Sequence, residues 1–320
     1  MVMKNRNEKT VVVTVLFTIL LLLPLHPAAA LDKMRLGVSV KSVVFLPFYY
    51  GKDKKIFEKH GIDLEIISMR SDLQMIGLVS GELDFNPAIG PAILAISSGM
   101  PLKTVAVFYR APLLSLLVPA RVTKPKDLEG KKVAVSRIGS ESHRYGALML
   151  ENSGVDEKKI TFIQTGSTTV SLTALQQGSV EGAVLSPPFT GMMARQGYKV
   201  LMNSRDLIEA PWLGVVTSRQ KIQKQPEQVR VFLLALRETL RSVRQDRQGV
   251  IAYIQQGWQV APGVAEQAYE EITGVMVDDL VMPEERVNIF LERAQSRGEL
   301  GKKALPMSEI FDYSFARGLK

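Results

Sequence analysis

The chain has 320 residues, a formal net charge of +8 at pH 7, 46% hydrophobic residues and no cysteine. Without thiols there is no disulfide framework, no thiolate nucleophile and no cysteine zinc site. Its 40 cationic residues are scattered among 32 acidic ones rather than gathered with aromatics, which argues against a nucleic-acid surface.

Residues 1–30 read as an export signal. Lys4, Arg6 and Lys9 form a basic start, Val11 to Leu23 is apolar except for Thr14 and Thr18, and Ala28-Ala29-Ala30 is a small-residue cleavage site. The apolar run is shorter than the roughly 20 residues that cross a bilayer, and Pro24 follows it. No cysteine stands at the cleavage point, so a free, periplasmic mature protein without a lipid anchor is expected.

The mature chain says one thing twice. Residues 78–88 read LVSGELDFNPA and residues 175–187 read LQQGSVEGAVLSP: an apolar helix end, a glycine, an acid three positions on, an apolar run, then proline. Gly81 and Gly178 set an offset of 97, which also carries Arg35-Leu36-Gly37-Val38-Ser39 onto Lys132-Val133-Ala134-Val135-Ser136. In chain order the pattern predicts a strand over 34–40, a helix opened by Pro47, a closing turn at His60-Gly61 and a strand over 62–68. A helix through Leu73, Ile76 and Leu78 leads into the first copy of the phrase, and another covers 91–98. Apolar extended runs over 104–108 and 113–118 follow, then a polar turn at 124–130 before the second copy. That copy ends in a strand over 198–202, and 212–218 is extended again.

The rest reads as helices over 226–246, 248–257, 262–273 and 283–297, with Pro226, Pro262 and Pro283 near their starts. On the first of these, Arg230, Arg237, Arg241 and Arg244 flank an apolar stripe, which reads as a solvated flank or, alternatively, a docking surface. The expected organisation is α/β: lobe one over 31–118, lobe two over 119–212, and a return to lobe one with C-terminal helices over 213–320, the two passages forming a two-strand hinge.

Several pieces in this order resemble one family. They are Leu46-Pro47-Phe48, Ile56-Phe57-Glu58-Lys59-His60-Gly61-Ile62-Asp63-Leu64-Glu65, Gly81-x-x-Asp84, Asp127-Leu128-x-Gly130-Lys131-x-Val133, Gly139-Ser140 and Gly178-x-Val180-Glu181. Together they are similar to the binding proteins of ABC importers for sulfonates, nitrate, taurine and the pyrimidine precursor of thiamine, over about residues 34–240. Lys55, where that family usually carries glycine, and Glu181, where aspartate is commoner, depart from it. The resemblance implies a two-lobed periplasmic-binding-protein fold of type II, with a ligand cleft between the lobes and the carboxyl ends of the strands facing it. It also implies a small-molecule ligand and, as partner, an inner-membrane permease with its ATPase, with no cofactor, no metal and a monomeric state.

Candidate ligand contacts follow from the strand exits. In lobe one these are Ser39, Phe45 as an apolar wall or a core residue, Asn86 as a turn residue or hydrogen bonder, and Ala88. In lobe two the segment Ser136 to Arg144 combines a strand end, a glycine and a helix start, whose N–H groups favour an anionic or strongly accepting group. It supplies Arg137, Gly139, Ser140 (helix cap, ligand contact or both) and His143. Ser167 and Ser186 close later strands of that lobe, while Arg110 and Trp212 lie on the two passages.

No catalytic residue is assigned. G-x-S-x-G, phosphate-loop and G-x-G-x-x-G patterns are absent, and His60 and His143 lack ligand-spaced partners. The function expected is solute capture for an importer; the alternatives are an exported lyase or hydrolase on the same fold, or a ligand-sensing module. Secreted material should begin at Leu31 on N-terminal sequencing, and a membrane-retained full-length chain would contradict the signal reading.

Overall fold

A computed structural model describes residues 31–319 apart from 70, 299 and 301–304, so the expected signal lies outside the described residues. The first copy contributes β1 (Asp32–Val38), α1 (Leu46–Asp53), α2 (Ile56–Lys59), β2 (Ile62–Ser68), α3 (Ser71–Ser80), β3 (Asn86–Ala88), α4 (Ile89–Ser97), β4 (Leu102–Tyr109) and β5 (Ser115–Val118). The second contributes β6 (Lys132–Val135), α5 (Glu141–Asn152), β7 (Thr161–Gln164), α6 (Thr168–Gln176), β8 (Gly182–Leu185), α7 (Phe189–Arg195), β9 (Lys199–Asn203) and β10 (Leu213–Ser218). There follow α8 (Arg219–Lys224), α9 (Pro226–Gln245), α10 (Arg247–Trp258), α11 (Pro262–Gly274), α12 (Glu284–Ser296), α13 (Met307–Ile310) and α14 (Ser314–Arg317).

The two lobes carry sheets of matching order. In one, β1 pairs in parallel with β2, Leu36 bridges Phe85 in parallel just before β3, and β10 lies antiparallel between β3 and β4. In the other the order is β7-β6-β8-β5-β9, with β6 parallel to β7 and β8 and with β5 antiparallel to β8 and β9. The fourth strand of each sheet is therefore supplied by the copy that built the other sheet. This corrects one expected boundary: Ser115–Val118 was placed in lobe one, but β5 pairs wholly within the second sheet. The strand, Ser-Leu-Leu-Val, is buried throughout, as a central position between two neighbours requires.

The repeated phrase has a structural cause in both lobes. Gly81 and Gly178 take φ of +81° and +68°, the left-handed region that lets a helix stop and turn into a strand. The acid three residues later ties that turn down. Asp84 Oδ2 accepts from the Arg35 backbone N–H at 2.7 Å, and Oδ1 meets Lys221 Nζ at 2.7 Å, with Lys221 only 8% exposed. Glu181 instead pairs at 2.7 Å with Arg121, which is 64% exposed. Lys55, the departure from glycine, also adopts a left-handed conformation, with φ +58°.

Lobe one is sealed by α9, whose Phe232 stacks on Phe85 with centroids 3.9 Å apart and also meets Phe57 at 5.5 Å and Phe48 at 6.2 Å. Its apolar stripe is buried as the periodicity predicts, while Arg230 pairs with Glu227 and Arg244 with Asp278. The C-terminal helices are not confined to lobe one. On α11, Val264 and Gln267 lie 3.3 and 3.1 Å from where a Cβ on Gly191 of α7 would stand. Among the described residues, no helix is long and apolar enough to cross a membrane.

The two copies of the acid should differ in weight. Asp84→Ala leaves a buried ammonium without its carboxylate and should lower unfolding free energy by about 3–5 kcal/mol. Glu181→Ala, which frees an exposed arginine, should cost no more than about 1 kcal/mol. Urea denaturation of both variants measures this, and equal losses would contradict the assignment.

Candidate functional site

The carboxyl ends of the parallel strands in both sheets meet along a seam bounded by the two passages. Those passages are bonded to each other: Ala210 N–H donates to Arg110 O at 2.8 Å, Trp212 N–H to Tyr109 O at 3.0 Å, and Ser204 N–H to Leu114 O at 2.9 Å. The buried Ser204 hydroxyl also reaches Pro112 O at 2.8 Å. The hinge is thus a braced pair of segments rather than two loose linkers.

Side chains of the described residues cross the seam. Ser42, after β1, has its hydroxyl 3.5 Å from Pro187 O, after β8. Glu141, the first residue of α5, reaches from lobe two to accept a hydrogen bond from Trp212 Nε1 on Oε2 at 2.9 Å. Its Oε1 would lie 3.2 Å from a Cβ at Gly90, in the first turn of α4, so that position has room only for glycine unless Glu141 shifts. Trp212 is 4% exposed and stacks on Tyr109, with centroids 6.2 Å apart and planes 22° apart; the Tyr109 hydroxyl is buried without a hydrogen-bond partner. Removal from water pushes the Glu141 carboxyl above the usual carboxylate range, against the downward pull of the Trp212 N–H and the Arg144 guanidinium.

The loop before α5 is built differently from the donor-rich cradle its sequence suggests. Ile138 N–H donates to Gln164 Oε1 at 3.1 Å, Gly139 N–H to His143 Nδ1 at 3.3 Å, and Ser140 N–H to Arg137 O at 3.1 Å. Most of the loop's own donors are therefore consumed. The hydroxyls of Ser136, Ser140 and Ser142 form a mutual cluster at 2.9–3.1 Å, and Ser140 Oγ also donates to Arg137 O at 2.6 Å. Ser140 is the N-cap residue but makes no side-chain cap bond.

The other candidates divide by location. Ser39 is exposed after β1, and Ala88, half-buried, precedes α4, so both sit at the seam edge. Ser186 precedes the Pro187 that meets Ser42. Phe45 is 7% exposed and belongs to the main core cluster, the core alternative for it. Asn86 is buried, and its amide is committed inside lobe one: it donates to Gly37 O at 2.9 Å and Gln74 Oε1 at 2.7 Å and accepts from Ala88 N–H at 2.8 Å. Arg110 turns to Glu209 at 3.9 Å and Gly274 O. Arg137 and Gly139 lie on exposed loop, His143 packs edge-on to Phe162 at 4.7 Å, and Ser167 caps α6 by accepting from Val170 N–H at 3.3 Å.

Of the sequence candidates, Trp212 makes a side-chain contact across the seam. Ser42, Gly90 and Tyr109 lie outside the sequence candidates, whereas Glu141 falls within the 136–144 segment expected at the cleft, where an acid at the first position of a helix also suits the helix dipole. One surface concavity of about 500 Å³ lies between Tyr50, Lys54, Arg241 and Asp246, and another of about 770 Å³ lies between α5, including His143 and Arg144, and the end of α12. No group of acids and histidines that could hold a metal occurs among the described residues.

The matched sheets, the exchanged strands and the seam between them define a periplasmic-binding-protein fold. The alkanesulfonate-binding protein SsuA from Xanthomonas axonopodis pv. citri, bound to MOPS, superposes with a TM-score of 0.73 at 19% identity, over 89% of this chain and 99% of that one. The aliphatic sulphonate binding protein SsuA from Escherichia coli gives 0.69 at 19% identity, over 88% and 92%. A family model described as NMT1/THI5 like matches residues 42–248, and the chain belongs to that family. The taurine-binding periplasmic protein of Escherichia coli strain K12 is 29% identical over 163 residues, 48% of this chain and 49% of that protein, so the match spans about half the length of that relative.

Glu141 gives the seam a pH dependence whose sign is fixed. A raised carboxyl pKa means that the folded chain holds the proton more tightly than the unfolded one. Its contribution to stability is present at acid pH and is lost as pH rises through the elevated folded value. Glu141→Gln keeps an acceptor for Trp212 without the titration, so it should gain stability relative to the parent as pH climbs from about 4 to 8. Urea melts across that range test this, and parallel profiles would refute it.

Proposed function

We propose that this chain is the extracytoplasmic solute-binding protein of an ABC-type importer, closing its two lobes on a small organic solute and presenting it to a membrane permease. The observation that carries this reading is the Glu141–Trp212–Gly90 contact. It joins the carboxyl edges of the two sheets beside the paired passages, at the place where open α/β sheets bind ligands. A solute that touches both edges has more contacts in the closed arrangement than in an open one, so its differential affinity shifts the population toward closure.

Organic sulfonates are the first solutes to test, because the taurine-binding relative and the two SsuA structures are named for them. Periplasmic location, a monomeric state and a permease with its ATPase as partner belong to the same proposal. Binding and release, rather than turnover, is the chemistry of this reading, and the chain has no cysteine to serve as a thiolate nucleophile.

The test is a thermal-shift and calorimetric screen of the mature chain against alkanesulfonates and taurine, with the mixture read by NMR for turnover. A ligand at 100 times its Kd should add about 2.7 kcal/mol of stability. Product formation would replace the binding reading with the enzyme reading, and silence across the panel would remove sulfonates as the solute.

A further inference from the structure

The solute-binding reading leaves the chemistry of the solute open, and the rim of the seam bears on it. Lys41 follows the exposed exit of β1 and precedes Ser42, whose hydroxyl meets Pro187 O of lobe two. It is exposed and makes no ion pair or hydrogen bond with a described residue. Its Nζ lies instead over the Trp258 ring, 5.5 Å from the centroid. Trp258 ends α10, and α11, which begins shortly after it at Pro262, packs on Gly191 of α7. The Lys41–Trp258 pair is therefore bracketed by two contacts to one lobe-two stretch, residues 187–191.

The indole is held in place by two aromatic neighbours. Tyr49 meets it at 6.2 Å with planes 81° apart, and Tyr253 at 6.3 Å with planes 69° apart, the Tyr253 hydroxyl being tied to Asp53 at 2.6 Å. Edge-to-face pairs of this kind hold a ring's orientation. Trp258 is half-buried and its Nε1 is buried without a hydrogen-bond partner, so what its side chain shows to solvent is carbon. Arg110, the cation on the outgoing passage, is turned to Glu209 at 3.9 Å, whereas no described carboxylate neutralises Lys41. A fixed, flat carbon surface thus lies beside an uncompensated ammonium.

We propose that Lys41, Tyr49 and Trp258 form a recognition subsite at the lip of the cleft, and that the solute is an aromatic acid whose ring lies on the Trp258 indole and whose acid group pairs with the Lys41 ammonium. This rests on the solute-binding function proposed above. The contact Lys41 makes now is a weak one at an exposed site. An aromatic acid replaces it with two: a stacked ring on the indole and a charge-assisted bond to the displaced ammonium. A lysine ammonium acts as a point charge on a flexible stem, so a carboxylate and a sulfonate both suit it.

The test is titration calorimetry of the mature chain with two pairs that differ only in the ring: benzoate with cyclohexanecarboxylate, and benzenesulfonate with cyclohexanesulfonate. In the series that binds, the aromatic member should bind about tenfold or more tightly than its saturated counterpart. Trp258→Leu should erase that preference. Lys41→Gln should weaken both members of the pair by about tenfold, the scale of one hydrogen bond to a charged group. A thermal melt reports whether the loss of the indole unfolds the chain; if it does, the preference of the parent decides the ring, and the exposed Lys41 variant decides the charge. Equal binding within each pair overturns the inference, and so does a Lys41→Gln variant that binds as tightly as the parent. Either result leaves the transport reading standing. Binding of none of the four compounds overturns the inference too, and the transport reading then rests on the taurine and alkanesulfonate screen.

Discussion

The architecture depends on one exchange. Each sheet receives its antiparallel fourth strand from the copy that built the other sheet, β5 passing into lobe two and β10 back into lobe one. A central strand is bonded on both sides and buried on both faces, so neither lobe completes its sheet without the partner copy's chain. The passages that carry these strands are then short, side by side and bonded to each other, which is what makes a hinge with a defined axis. The cleft is the geometric remainder of that arrangement, since the strand exits of both sheets are brought to the same edge.

Motion about such a hinge is constrained at the opposite boundary too. Gly191 of α7 lies close enough to Val264 and Gln267 of α11 that a side chain at 191 would have to displace them. Glu271 of α11 is desolvated there, which raises its pKa, with Gln267 and Arg205 opposing. The absence of a side chain at Gly191 is what lets α7 and α11 approach this closely. Lobe one is sealed by the phenylalanines around Phe232 and by the buried Asp84–Lys221 pair.

The sequence made the duplication legible because its markers are backbone requirements. Gly81 and Gly178 need positive φ, and the apolar alternation of β1 and β6 needs a sheet on either side. The offset of 97 even relates β5 to β10 within about a residue, which the alternating pattern alone did not reveal. What could not be read was strand exchange: an apolar run says that a strand is buried, not between which neighbours, and so Ser115–Val118 was left with the wrong lobe.

The site was less legible than the fold, and the reason is chemical rather than statistical. Serine, asparagine and glycine at strand exits serve backbone closure and ligand contact with the same atoms, so a sequence cannot apportion them. Here Asn86 spends its amide on Gly37, Gln74 and Ala88, and the 138–140 loop spends its N–H groups on Gln164, His143 and Arg137. Glu141 is ambiguous for the converse reason, because an acid at a helix start already has an ordinary electrostatic purpose. Only the approach of Gly90 and Trp212 from the other lobe turns that commonplace carboxylate into a group shared by both halves of the cleft. The seam is therefore built less from the repeated phrase, which holds each lobe together, than from the unrepeated residues that the exchange brings face to face.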